Sequence, residues 1–128
     1  MTTIKKYCLF AVSFLLTAVV SGCAKPDSVV TLKSPTDGVF YTIETSHNAG
    51  PVSDDTRVYA HLERNGKTRK ILVLTGGDLT VERIIWTSPH EGTFCLQGGI
   101  TDTFRNEVTL ILDDKISETM HHHLQEHC

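Results

Sequence analysis

Seven histidines and four cysteines are the side chains of this sequence best equipped to hold a metal, move a proton or form a covalent bond. The histidines are unevenly spread, with His121, His122, His123 and His127 crowded into the C-terminal tail. In a strand, positions i and i+2 share a face, which groups His121 with His123. In a helix, i and i+4 do, which groups His123 with His127. Either pair offers neutral imidazoles to Zn²⁺ or Cu²⁺, and Glu126 or a Cys128 thiolate would extend the set. This spacing is looser than that of dedicated metal motifs, and a polar edge strand accounts for it as well. No metal or cofactor is therefore expected.

The usual catalytic patterns do not occur. There is no G-x-S-x-G elbow, no H-E-x-x-H and no P-loop. Asp54 and Asp55 are adjacent, so in a strand they point to opposite faces, whereas a glycosidase needs two carboxyls facing across a cleft. Asp54, Asp55, Asp78, His90 and Glu91 instead read as turn residues. They are either solvated or offered to a partner, and no enzymatic activity is expected. With 12 basic and 15 acidic residues the formal net charge is −3, which argues against nucleic acid.

The elements that must position these residues read as short strands. Val29–Leu32 is a strand candidate, ended by the turn cluster Ser34-Pro35-Thr36-Asp37-Gly38. Val39–Thr45 is rich in β-branched and aromatic residues, and His47–Asp55 is a loop. Thr56–Arg64 alternates, with Val58, Ala60 and Leu62 on one face and Arg57, Tyr59, His61 and Glu63 on the other. Asn65-Gly66 is the strongest hairpin signal, since both residues tolerate the positive φ of a type I′ turn. Lys67–Leu74 returns, Gly76-Gly77-Asp78 turns, and Leu79–Thr87 is the next strand. Pro89–Gly92 turns again, and Thr93–Gln97 carries Cys95. Gly98–Asn106 reads as a polar loop. Glu107–Leu112 is a strand, and Asp113-Asp114-Lys115 a turn. Ile116–Cys128 is ambiguous. As a strand it puts Met120, His122 and Leu124 on one face, and as a helix it has no clear cap.

Short strands with turn signals between them predict an all-β domain, an antiparallel meander forming a small sandwich or partly open barrel. Ser34-Pro35-Thr36-Asp37-Gly38 and Ser88-Pro89-His90-Glu91-Gly92 share the pattern S-P-x-x-G. Preceded by Trp86, the second resembles the W-S-P-D-G hairpins of TolB-type β-propellers. Two copies are too few for a propeller, so shared hairpin chemistry is the better account.

The N-terminus has its own pattern. Lys5 and Lys6 precede an uncharged apolar run, Tyr7–Val20, too short to span a bilayer comfortably. Val20-Ser21-Gly22-Cys23 follows and resembles the lipobox of bacterial lipoproteins. The resemblance implies a signal peptide at 1–22 cut before Cys23, and lipid on the Cys23 thiol. It also implies a tether over 23–28 and a periplasmic domain over 29–128. Because Ala24 is not aspartate, it implies sorting to the outer membrane, facing the periplasm, with the membrane held through the lipid. The mature chain would be about 106 residues, one domain, with a charge of about −5.

With Cys8 lost in the signal and Cys23 lipidated, Cys95 and Cys128 remain in an oxidising compartment, where a disulfide is expected. It would contribute roughly 3–4 kcal/mol. Asn48-Ala49-Gly50-Pro51 and Thr56-Arg57-Val58-Tyr59-Ala60 resemble an uncharacterised enterobacterial lipoprotein family akin to the immunity lipoproteins of type VI secretion. That resemblance implies an inhibitor of a secreted enzyme, such as a phospholipase, with a periplasmic protein as partner. The S-G-x-x-Y pattern of periplasmic lysozyme inhibitors is missing from the mature chain. A metal-binding or structural envelope lipoprotein is the alternative class.

Overall fold

The computed structural model describes residues 26–47 and 54–128. The expected leader, Cys23, most of the expected tether and the loop positions Asn48 to Ser53 lie outside them. The described residues form nine strands: β1 (Ser28–Lys33), β2 (Val39–Ser46), β3 (Asp55–Arg64), β4 (Lys67–Gly77), β5 (Thr80–Ser88), β6 (Glu91–Gln97), β7 (Ile100–Phe104), β8 (Glu107–Ile111) and β9 (Ser117–Glu126). They make a five-stranded sheet, ordered β1-β2-β3-β4-β7, and a four-stranded sheet, ordered β5-β6-β9-β8. The two pack face to face as an all-β sandwich that does not close into a barrel.

Alternation decides which side chains enter the core. On β3, Val58, Ala60 and Leu62 are buried, while Arg57 and Glu63 are exposed. Val39, Tyr41 and Ile43 of β2 meet them from the next strand, in register with Leu62, Ala60 and Val58. The second sheet supplies Phe94, Leu96, Leu110 and Met120. Each fully buried side chain of this size stabilises by roughly 1.5–3 kcal/mol. Asn65 and Gly66 join β3 to β4 at φ 53° and 77°, the left-handed pair that a type I′ turn requires.

Two stretches differ from the expectation. The polar loop expected over Gly98–Asn106 is a turn at Gly98-Gly99 followed by strand β7. A Cβ on Gly99 would lie 2.6 Å from the backbone of Gly77 and Asp78, so the turn packs too tightly for any other residue. Strand β7 is polar because it is an edge that pairs only with the end of β4. The ambiguous tail is β9, and it lies inside its sheet, parallel to β6 and antiparallel to β8. Arg105 and Asn106 carry the chain from one sheet to the other. The Arg105 amide donates to the Val73 carbonyl on β4, and the Asn106 carbonyl accepts from the His122 amide on β9.

A polar link lies inside the apolar interface. His122 is 1 % exposed, with its Nε2 2.6 Å from the Tyr41 hydroxyl and its Nδ1 3.1 Å from the Arg105 carbonyl. A carbonyl can only accept, so Nδ1 carries the proton and Nε2 accepts from the tyrosine O–H. Burial pushes the His122 pKa down to about 4 and the Tyr41 pKa above its ordinary value. One neutral imidazole thereby ties β2, β9 and the sheet crossing together. Phe94 stacks on its ring at 5.2 Å.

Candidate functional site

The alternating strand directions bring several chain segments to one end of the sandwich. These are the start of β1, the end of β2, the start of β3, the β4–β5 turn and the β6–β7 turn. Asp54 and Asp78 clasp each other there. The Asp78 amide donates to the Asp54 carbonyl at 2.9 Å, and the Asp54 amide donates to Asp78 Oδ1 at 3.0 Å. Asp78 holds φ at 54°, a value aspartate tolerates better than most residues. His47 Nδ1 sits 2.7 Å from Asp54 Oδ1, and the His47 amide donates to the Asp27 carboxylate. The hydrogen bond to Asp54, with the nearby charges of Asp54 and Asp27, raises the His47 pKa.

Beside this clasp is a cavity of ≈ 280 Å³, lined by Val30, Ile43, Thr45, Asp54, Thr56 and Asp78 to Val81. Its walls divide by chemistry. Val30, Ile43, Leu79 and Val81 are apolar, while Asp54 and Asp78 are acidic. The Thr56 hydroxyl is buried and donates to the Leu79 carbonyl, which fixes the first residues leading into β5. A neighbouring depression is lined by Gly77, Asp78, Gly99, Ile100 and Asp102, with Ile100 71 % exposed. Asp27, Asp54, Asp55, Asp78 and Asp102 all belong to this end. The four lysines of the described residues, Lys33, Lys67, Lys70 and Lys115, lie in the other half.

The structure therefore divides the residues singled out from the sequence. Asp54 and Asp78 come together. Asp55 turns to the outer face of its sheet and pairs with Arg57 at 3.0 Å. His90 and Glu91 lie at the opposite end. His90 Nε2 is 2.7 Å from Glu118, which also takes Arg64 at 2.7 Å. Glu91 binds His123 Nε2 at 2.7 Å across the parallel β6–β9 pair.

The tail histidines are dispersed. His122 points inward, while His121 and His123 share the outer face as a strand requires. His127, at φ 56°, turns the chain so that Cys128 reaches Cys95. Those two cysteines lie at disulfide distance, with Cα atoms 5.6 Å apart, so the Cys128 thiolate is not offered to a metal. Among the described residues no group of three or more metal-capable side chains converges.

Asp27 and His47 were not legible as site residues. Their meeting depends on the β1–β2 register, Ser28 opposite Thr45, which no local motif encodes. The inward side of His122 was legible from alternation, but its bonds to Tyr41 and Arg105 were not.

Comparison with known proteins finds no match: no family model, no curated protein and no solved structure matches the chain. The site is read from its own geometry. Two neighbouring carboxylates beside a partly apolar cavity, in a half of the fold where none of the described residues is a lysine, are an arrangement suited to binding a cation-bearing partner.

Proposed function

We propose that this protein is a membrane-anchored periplasmic lipoprotein that binds and inhibits a toxic secreted enzyme, such as a phospholipase delivered by type VI secretion. It has no catalytic activity of its own. The observation that supports this reading is the sorting of charge. One end of a disulfide-tied sandwich sets Asp54, Asp78 and Asp102 around an exposed isoleucine and a partly apolar cavity. Like charges held together speed the approach of an oppositely charged protein, and apolar ground among them supplies the anchor. The lipid on Cys23 holds the inhibitor at the outer membrane's periplasmic face, where a membrane-attacking enzyme must arrive.

The test is co-expression with the secreted enzyme encoded beside it, directed to the periplasm. Protection should require export of this protein, and the purified domain should form a stoichiometric complex with the enzyme. Cells that lyse equally with and without it, together with no complex, overturn the inhibitor reading. The anchor is tested separately. Cys23→Ser should abolish labelling with palmitate and release the protein from the outer membrane.

A further inference from the structure

We propose that the cavity at the acidic end is the socket for one arginine side chain of the partner protein. This rests on reading that end as a protein-docking face, but not on the partner being an enzyme. At ≈ 280 Å³ the cavity falls below the roughly 300–1,000 Å³ of sites for drug-sized ligands, and it suits a single long side chain. Its lining names the kind. Val30, Ile43, Leu79 and Val81 offer an apolar wall to an alkyl stem, while Asp54 and Asp78 wait at the rim for a cationic head. An aliphatic side chain would leave two carboxylates desolvated against carbon. An acidic one would be repelled by Asp27, Asp54 and Asp78.

The choice of arginine over lysine follows from the clasp. Asp78 Oδ1 accepts from the Asp54 amide and Asp54 Oδ1 lies 2.7 Å from His47 Nδ1, while a backbone bond joins the two residues, so each carboxylate has one oxygen engaged and a second oxygen. Two acceptors set in advance match a planar fork of donors better than a single rotating ammonium. His47 and Asp27 brace the same carboxylate pair from behind, through Asp54 Oδ1 and the His47 amide.

The experiment is a titration of the folded, oxidised domain, followed residue by residue by amide chemical shifts. Three probes are used: acetyl-arginine amide, acetyl-lysine amide and acetyl-citrulline amide, the last an uncharged isostere of the first. Acetyl-arginine amide should shift the amides of Val30, Thr56 and Asp78 to Val81, lysine should do so more weakly, and citrulline least. Asp54→Asn and Asp78→Asn keep an acceptor oxygen, and asparagine tolerates the positive φ at position 78. Each should weaken the arginine response roughly three- to tenfold, while Asp114→Asn, in the far turn, should leave it unchanged.

Equal shifts from arginine and citrulline, or no shifts at this end with arginine at tens of millimolar, overturn the socket. The two proposals fail separately. Arginine binding without enzyme neutralisation sinks only the inhibitor. Full neutralisation by the Asp54→Asn, Asp78→Asn double variant sinks only the socket.

Discussion

The two ends of the sandwich treat charge in opposite ways. At the far end, Glu118 takes both Arg64 and His90, Lys67 takes Asp113, and Arg64 also donates to the Asp37 carbonyl. The two S-P-x-x-G turns meet there, where the Thr36 hydroxyl donates to the Pro89 carbonyl. Opposite charges in contact hold those turns together. At the near end Asp55 pairs with Arg57 on the outer face, but Asp54 and Asp78 sit beside each other, held by backbone amides and by one histidine. A fold gains little from gathering like charges, so their usefulness has to be sought in what they meet. A larger and more open depression of ≈ 560 Å³ follows the β1–β2 hairpin at the far end, but Lys33 and Asp37 balance within it.

The largest effect expected from a substitution is at the disulfide, which ties the near end of β6 to the tail. Replacing both Cys95 and Cys128 by alanine should cost roughly 3–4 kcal/mol, a fall in Tm of more than about 10 °C by calorimetry. If the reduced protein melts at the same temperature, the tail is held by β9 pairing alone, and the near end owes nothing to the cross-link.

Next comes acid sensitivity, which belongs to the middle of the molecule rather than to either end. Burial lowers the His122 pKa to about 4 from the ordinary 6.5. A histidine with a lowered folded pKa keeps its full contribution above the unfolded value, then loses it as pH falls toward the folded one. Stability should hold above about pH 6.5 and drop by roughly 3 kcal/mol by pH 4. His122→Gln, which can still accept from Tyr41, should flatten this acid limb in urea melts. An unchanged limb would place the sensitive group elsewhere.

The smallest effect sharpens the contrast between the ends most directly. Glu118→Gln should destabilise by about 1 kcal/mol, because Arg64 and His90 lose a shared, half-buried partner. Asp78→Asn should be neutral or slightly stabilising, since it relieves repulsion and keeps the oxygen that binds the Asp54 amide. Paired urea melts decide between them. Equal losses at both ends would mean that the near-end aspartates are ordinary structural groups.

Much of the fold was legible because strand alternation is a local property. Val58, Ala60 and Leu62 declared their face, and Asn65-Gly66 declared the turn. What stayed hidden was long-range. Nothing in Ile100-Thr101-Asp102-Thr103-Phe104 reveals that β4 has a free edge to receive it, and its polar residues resemble a loop for that reason. Parallel pairing of β6 with β9 leaves no local mark either, because parallel partners are never joined by a tight turn. The site followed the same rule. Asp54 and Asp78 were visible as turn residues, but their clasp is made by the register between β3 and β4. Strand direction sends His90 and Glu91 to the other end, away from Asp54 and Asp78.

The position of β9 has a bearing on how the chain reaches its folded form. It is the last strand in chain order, yet it lies between β6 and β8 and supplies Met120 and His122 to the interior. Strands β1 to β4 can pair with their neighbours as each hairpin emerges. The second sheet cannot be assembled until its final member arrives. Contacts so distant in sequence close slowly. A ribosomal product stopped before Ser117 would therefore leave apolar surface from β6 and β8 exposed to proteolysis.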